Sequence, residues 1–259
     1  MKNETTMDLI IGLHSICEAL KNPARKNHQL FVAEESWPEF ESFCAKNNHQ
    51  IKKESYTLSK LSKHMLQQKA QEYARDLSQN IARVPSGIFL ITSKIEVHDV
   101  TWLYDQTIDG KIKKMIVLDG VSDVHNGGAI LRSAAFYGVD AVIMAGKGSF
   151  GQSASFFRIS SGATEYVPMV EVSSLPKVIG KLQDMGVFCI GLSEHAEGEL
   201  QNNFSNQLVC LILGAEDKGL SHAVTRKLDH LMSINSQGKI HSLNVSVAAA
   251  IAMERVFRI

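Results

Sequence analysis

The chain has 259 residues, 44% hydrophobic and 21% charged, the composition of a globular protein with room for one large domain or two modest ones. Lysine plus arginine number 27, as do aspartate plus glutamate. That balance argues against a strong nonspecific polyanion binder, so a nucleic-acid partner would need a local patch. No apolar run is long enough to span a bilayer, and the polar opening residues lack a signal-peptide core, which predicts a cytoplasmic protein without a membrane segment. Cys17, Cys44, Cys189 and Cys210 stand apart with no Cys-x-x-Cys spacing, and the histidines form no ligand pairs at helical spacing. Neither a disulfide framework nor a metal site is expected.

Residues 9–22 place Leu13, Ile16, Cys17 and Leu20 on one face, the pattern of an amphipathic helix stopped by Asn22-Pro23. A strand is predicted at 29–33, a helix at 36–48 with Ser36 as N-cap and a proline in its first turn, a strand at 50–53, a helix around 58–65, and a strand at 87–91. This is the alternation of a small α/β domain. Residues 96–110 read as a connecting helix and linker, so the boundary is placed near residue 105, giving domains 1–105 and 106–259. Lys52, Lys53, Lys60, Lys63, Lys69, Arg75 and Arg83, with Lys111, Lys113 and Lys114, are the candidates for such a basic patch. For most of these a solvated helix face is the competing reading, and it is favoured for any single one.

Strands at 115–119 and 141–144 flank a helix at 129–137, a βαβ unit. A helix at 156–161, a strand at 167–172, a helix at 175–185, strands at 187–192 and 208–213 and a helix at 245–256 complete the pattern. Strands alternating with helices imply an α/β domain whose parallel sheet is covered on both faces. Gly146-Lys147-Gly148-Ser149-Phe150-Gly151 has the spacing of a dinucleotide phosphate loop but does not open a helix after a tight strand turn, which disfavours a nucleotide-dependent oxidoreductase.

Three segments carry the chemistry. Leu118-Asp119-Gly120-Val121-Ser122-Asp123-Val124-His125-Asn126-Gly127-Gly128-Ala129-Ile130-Leu131-Arg132 reads as a strand, a polar loop and a helix. Leu213-Gly214-Ala215-Glu216-Asp217-Lys218-Gly219 ends a strand in a glycine that would let main chain approach a ligand closely, followed by a carboxylate. His241-Ser242-Leu243-Asn244-Val245-Ser246 opens the last helix, with Ser242 as a plausible N-cap.

In this order the three segments resemble the motifs of the SpoU family of RNA ribose 2′-O-methyltransferases, within the knotted, S-adenosylmethionine-dependent group. The resemblance implies a deep trefoil knot in the last strands and helix. It implies catalytic roles for Asn126, Arg132, Glu216, Ser242 and Asn244, and a cofactor cradle at Leu192, Leu213, Gly214, Ile234 and Leu243. Residues 11–16, Ile-Gly-Leu-His-Ser-Ile, match the start of the family's ribosomal-protein-like RNA-binding domain. The implied activity is methylation of structured RNA, with 23S ribosomal RNA guanosine favoured over transfer RNA, by a homodimer that needs no metal. A transfer RNA enzyme and a non-catalytic RNA-binding protein on the same fold are the alternatives. The chain departs from the family at Val124 and Gly127, at Asn235-Ser236, and at Pro85-Ser86, where a His-Gln is common.

Overall fold

The computed structural model describes residues 7–49, 51, 55–200, 204 and 207–258. In chain order the elements are β1 (Met7–Ile11), α1 (Leu13–Lys21), β2 (His28–Ala33), α2 (Trp37–Lys46), β3 (Tyr56–Leu61), α3 (Lys63–Asp76) and β4 (Ile88–Ser93). There follow β5 (Val97–His98), α4 (Val100–Ile108), β6 (Lys114–Asp119), α5 (Val124–Phe136), β7 (Ala141–Ala145), α6 (Ala154–Ser160), β8 (Met169–Val172) and α7 (Leu175–Asp184). The chain closes with β9 (Phe188–Leu192), β10 (Gly198–Glu199), β11 (Val209–Gly214), α8 (His222–Thr225), β12 (His230–Ser233) and α9 (Val245–Phe257). Two compact units emerge. One is the chain through Ile95 joined by Gly151–Glu165, and the other comprises Glu96–Phe150 and the chain from Tyr166 onward.

The first unit holds a four-stranded sheet in the order β1-β4-β2-β3, with β4 antiparallel to β1 and β2, and β2 parallel to β3. The helix expected over 9–22 is instead a strand and a helix. Leu9, Ile10 and Ile11 are a buried, largely β-branched run that pairs with β4, and Gly12 at φ +94° turns the chain before α1 starts. The helix expected around 58–65 also gives way, to β3, and α3 begins only after Ser62, whose Oγ accepts from Met65 N at 3.4 Å. Of the strand expected at 50–53, Gln50, Lys52 and Lys53 lie outside the described residues.

Residues 151–165 were expected with the second domain, but their side chains pack into the first unit. Phe157 sits in a core with Ile10, Ile16, Leu30 and Leu90, and Ala154 in one with Leu9, Phe31 and Phe89. Arg25, its side chain 1% exposed, bonds Glu165 through Nε at 2.8 Å and Nη2 at 2.7 Å, and Asp8 through Nη1 at 2.7 Å. At the other boundary, α4 buries Leu103 in the core of the second unit, so the division falls after Ile95 rather than near 105.

The second unit is built on an eight-stranded, all-parallel sheet in the order β10-β12-β9-β11-β6-β7-β8-β5. On one face Met115, Val117, Ile143, Val170, Cys189, Cys210 and Ile212 pack with Leu103 of α4, Leu175, Val178, Ile179 and Leu182 of α7 and Val224 of α8. The alternate residues Ile116, Leu118, Val142, Leu211 and Leu213 are also buried and turn to the opposite face. There α9 packs on α5 and β11. Cys17, Cys189 and Cys210 are buried free thiols. Among the described residues no helix is long and apolar enough to cross a membrane.

Candidate active site

Because every strand of the large sheet runs the same way, the carboxyl ends share one edge, where open parallel sheets commonly bind ligands. Register places Met232 beside Leu192 and Gly214 beside Asp119, so the ends of β12, β9, β11 and β6 stand side by side. Asp119 finishes β6, and its Oδ2 accepts from Ser221 N at 2.7 Å. That bond ties the loop after β11 to the end of β6.

Ala215 and Gly219 exchange two main-chain bonds, of 3.1 and 2.8 Å, which folds Glu216-Asp217-Lys218 into a tight exposed turn. A Cβ on Gly214 would lie 2.2 Å from Gly219 C and 2.4 Å from Leu220 N. The glycine expected to admit a ligand is therefore required by the chain's own returning main chain, and its immediate role is to hold the Glu216 turn in place.

The helix expected to begin at residue 129 begins at Val124, capped by Asp123, whose Oδ1 accepts from His125 N at 2.6 Å. Asn126 is therefore not in a loop but in the first turn of α5, 7% exposed. The glycines after it concealed this start because glycine disfavours helix. Their reason is packing: a Cβ on Gly127 would meet the Phe150 ring at 2.4 Å. At α9 the cap is Asn244, not Ser242. Its Oδ1 accepts from Ser246 N at 3.0 Å and from Ser246 Oγ at 2.6 Å.

These bonds fix the orientation of the Asn244 amide. Ser246 N can only donate, so Oδ1 must face it, and Nδ2 is left to donate to Asn126 Oδ1 at 3.0 Å and to Glu216 Oε1 at 2.7 Å. Both amide hydrogens are used. Among the described residues, Asn126 has its oxygen engaged and no acceptor for its own Nδ2, and Glu216 keeps Oε2. The structure thus joins one residue from each of the three sequence segments into a single hydrogen-bonded set presenting a donor and a carboxylate oxygen.

Arg132 and Ser242 are not joined to that set. Arg132 is exposed on α5 and has no hydrogen-bond or ion-pair partner among the described residues. Six residues of helix put it roughly 9 Å along the axis and about 120° around from Asn126. Ser242 lies in the exposed stretch before α9 with Leu243, which is 51% exposed. Leu192 and Ile234 are half-buried at the strand ends. Leu213 is 2% exposed with its side chain in the core, so only its main chain can line the edge. Sequence reasoning missed Asp119, Ser221 and Ser246. The Asp-Gly that ends β6 and the Asn-x-Ser at the start of α9 are the local patterns that could have pointed to them.

A sequence model described as the SpoU rRNA Methylase family matches residues 113–254. The chain is similar to Bacillus subtilis (strain 168) YacO, assigned to the TrmH family of tRNA/rRNA methyltransferases, at 25% identity over 252 residues, covering 97% of this chain and 95% of that one. It is similar to the 23S rRNA (guanosine-2′-O-)-methyltransferase RlmB of Nitrosomonas europaea at 38% identity over 144 residues, 56% of this chain and 55% of that one. Among solved structures, the SpoU methyltransferase AviRb of Streptomyces viridochromogenes, crystallised with its cofactor AdoMet, has the same fold. The TM-score is 0.74 at 19% identity, with 98% of this chain and 90% of that one covered.

Proposed function

The chain belongs to the SpoU rRNA Methylase family, and on that premise we propose that it transfers the methyl group of S-adenosylmethionine to a ribose 2′-hydroxyl of structured RNA. The observation that carries this reading is the Asn126, Asn244 and Glu216 set, assembled from distant segments at the carboxyl edge of the sheet. Transfer to a hydroxyl demands alignment of two bound molecules and relief of the hydroxyl proton.

The residues at the edge suit the cofactor. Half-buried Leu192 and Ile234 and exposed Leu243 offer apolar surface to adenine and the methionine chain, while Leu213 and Gly214 contribute main-chain groups. When bound, S-adenosylmethionine supplies a sulfonium methyl open to attack by oxygen. The protein's own groups do the positioning. Asn126 Nδ2 donates to the ribose, Glu216 Oε2 accepts the hydrogen of the hydroxyl, and Ser242 adds a donor beside them. The Arg132 guanidinium, which carries donors only, grips the phosphate next to the target ribose in a fork.

Ribosomal RNA, and 23S guanosine within it, is the favoured substrate, supported by the RlmB similarity. Transfer RNA is the second reading, supported by the near full-length similarity to a protein whose family spans both substrates. The first unit serves as the RNA-binding module, and the enzyme acts in the cytoplasm. The last strands and helix form the family's trefoil knot, a reading supported by the insertion of β11 between β9 and β6 and the packing of α9 on α5 and β11. Exposed Phe136, Leu243 and Val247 supply apolar surface for a homodimer. The deciding experiment offers labelled S-adenosylmethionine with unmodified ribosomal and transfer RNA and maps the labelled nucleotide. Label in 23S RNA supports the first reading, label in transfer RNA the second, and label in neither rejects both.

A further inference from the structure

The first unit contains a cavity of about 670 Å³ between the start of α3 and the chain entering β4, within the size range of small-ligand sites. Its apolar floor is made by Leu66 and Val84, both buried, with the exposed Pro85 beside them. Lys63, His64 and Arg83 stand on its rim, all exposed, and no carboxylate lines it. Arg83 has no hydrogen-bond or ion-pair partner among the described residues, and Lys63 meets only the exposed Glu35 at 3.5 Å, a pairing that holds a lysine weakly. The rim is built rather than loose. Gln67 uses both ends of its amide on the facing chain, with Nε2 donating to Ala82 O at 3.2 Å and Oε1 accepting from Val84 N at 3.0 Å. These two bonds tie the main chain on either side of Arg83 to α3.

We propose that this cavity binds one unpaired nucleotide of the RNA substrate, the base on the Leu66 and Val84 floor beside Pro85 and the flanking phosphate between Lys63 and Arg83. The proposal rests on the RNA reading above and adds to it a place and a form of RNA. A concave slot with an apolar floor and cationic rim matches a planar ring carrying an anion. It is far too narrow for a duplex, in which the bases are stacked away from protein side chains. Bulges and loops, whose bases splay out, are the part of an RNA that such a slot can take. His64 at the rim offers a ring to stack on or a nitrogen to bond a base edge.

The test uses the full chain and two labelled RNAs that share one stem, the first interrupted by a single-nucleotide bulge and the second fully paired. Affinity is read by fluorescence anisotropy. The wild type should prefer the bulged RNA. Arg83→Glu should weaken bulged binding at least about tenfold, the scale of one lost phosphate or stacking contact, and change duplex binding much less. Pro85→Trp fills the cavity without changing charge and should erase the preference as well. S-adenosylmethionine binding, followed by calorimetry, should be unchanged in both variants and reports separately on the catalytic reading. Equal losses on both RNAs in Arg83→Glu with Pro85→Trp neutral would mean general electrostatics and overturn the proposal, as would no loss at all. As a check independent of mutant folding, 4-thiouridine at the bulge should crosslink wild-type protein within residues 63–67 or 83–87, and crosslinking only elsewhere would overturn it.

Discussion

Asn244 does two jobs with one amide, and they separate by substitution. Its oxygen caps α9 through Ser246, and its nitrogen joins Asn126 to Glu216. Asn244→Asp keeps a capping oxygen but sets a carboxylate against Glu216 Oε1 and Asn126 Oδ1. Steady-state methyl transfer by this variant should fall on the order of 100-fold, as for a charge-assisted contact replaced by repulsion, with the melting temperature nearly unchanged. A large fall in melting temperature with normal turnover would reduce Asn244 to a helix cap. Arg132 makes the complementary case. Exposed and unpartnered, it contributes little to the free protein, so Arg132→Lys should leave stability and S-adenosylmethionine affinity intact while kcat/KM drops by about 2–3 kcal/mol equivalent through loss of the fork. Full activity in both Arg132→Lys and Arg132→Ala would remove the residue from the site. The sequence made Asn126, Glu216 and Asn244 legible as a set through their motifs, but not the bonds between them. Ser246 escaped because an amide's orientation depends on a donor two residues away in a turn not yet formed.

Elements were legible where periodicity was unopposed and illegible where one residue's tertiary neighbour overrode it. The parallel strands β6, β7, β9 and β11 are apolar runs that read as strands with no context. The start of α5 was hidden by Gly127, which is glycine because Phe150 lies on it. Gly127→Ala should therefore destabilise by about 1–3 kcal/mol despite alanine's better helix propensity, and the double variant with Phe150→Leu should recover most of the loss in thermal melts. A stabilised single variant would show that the ring yields easily. β1 was read as helix because its apolar run continues into α1, and only pairing with β4 divides the two. Within that sheet, His28 on β2 is buried beside Thr92, with Nδ1 and Oγ1 2.9 Å apart. Burial, assisted by the Arg25 charge, holds its pKa below the usual histidine value. A folded pKa below the unfolded one means stability is fully present above about pH 6.5 and is lost as pH falls through the folded value. The melting temperature of wild type should accordingly drop more between pH 7 and pH 5 than that of His28→Gln. Parallel curves in calorimetry would show that His28 titrates alike in both states.

At the scale of the whole molecule, the two compact units are cut after Ile95 and around Gly151–Glu165, and the cuts have a physical reason. Residues 151–165 follow β7 in sequence and so read as part of the second domain, whereas burial of Phe157 and the ion pairs of Arg25 with Asp8 and Glu165 place them in the first unit. Such long-range pairs, one spanning 140 residues, leave no local periodicity to read. Exposed Phe136 on α5 and Val247 on α9 lead to a prediction at this scale, since both helices pack together on one face of the sheet. The wild type should scatter light at twice the chain mass, and Phe136→Glu should halve that mass without loss of helix signal. A monomeric, fully active wild type would contradict the dimer. In the proposed reaction the Asn126, Asn244 and Glu216 set directs a methyl group to a ribose oxygen. The most direct measurement digests RNA labelled by the enzyme to nucleosides and locates the label by mass spectrometry. Label is expected on the ribose as a 2′-O-methyl nucleoside, abolished or nearly so in Asn244→Asp. Label on a base, or undiminished ribose label in Asn244→Asp, would contradict it.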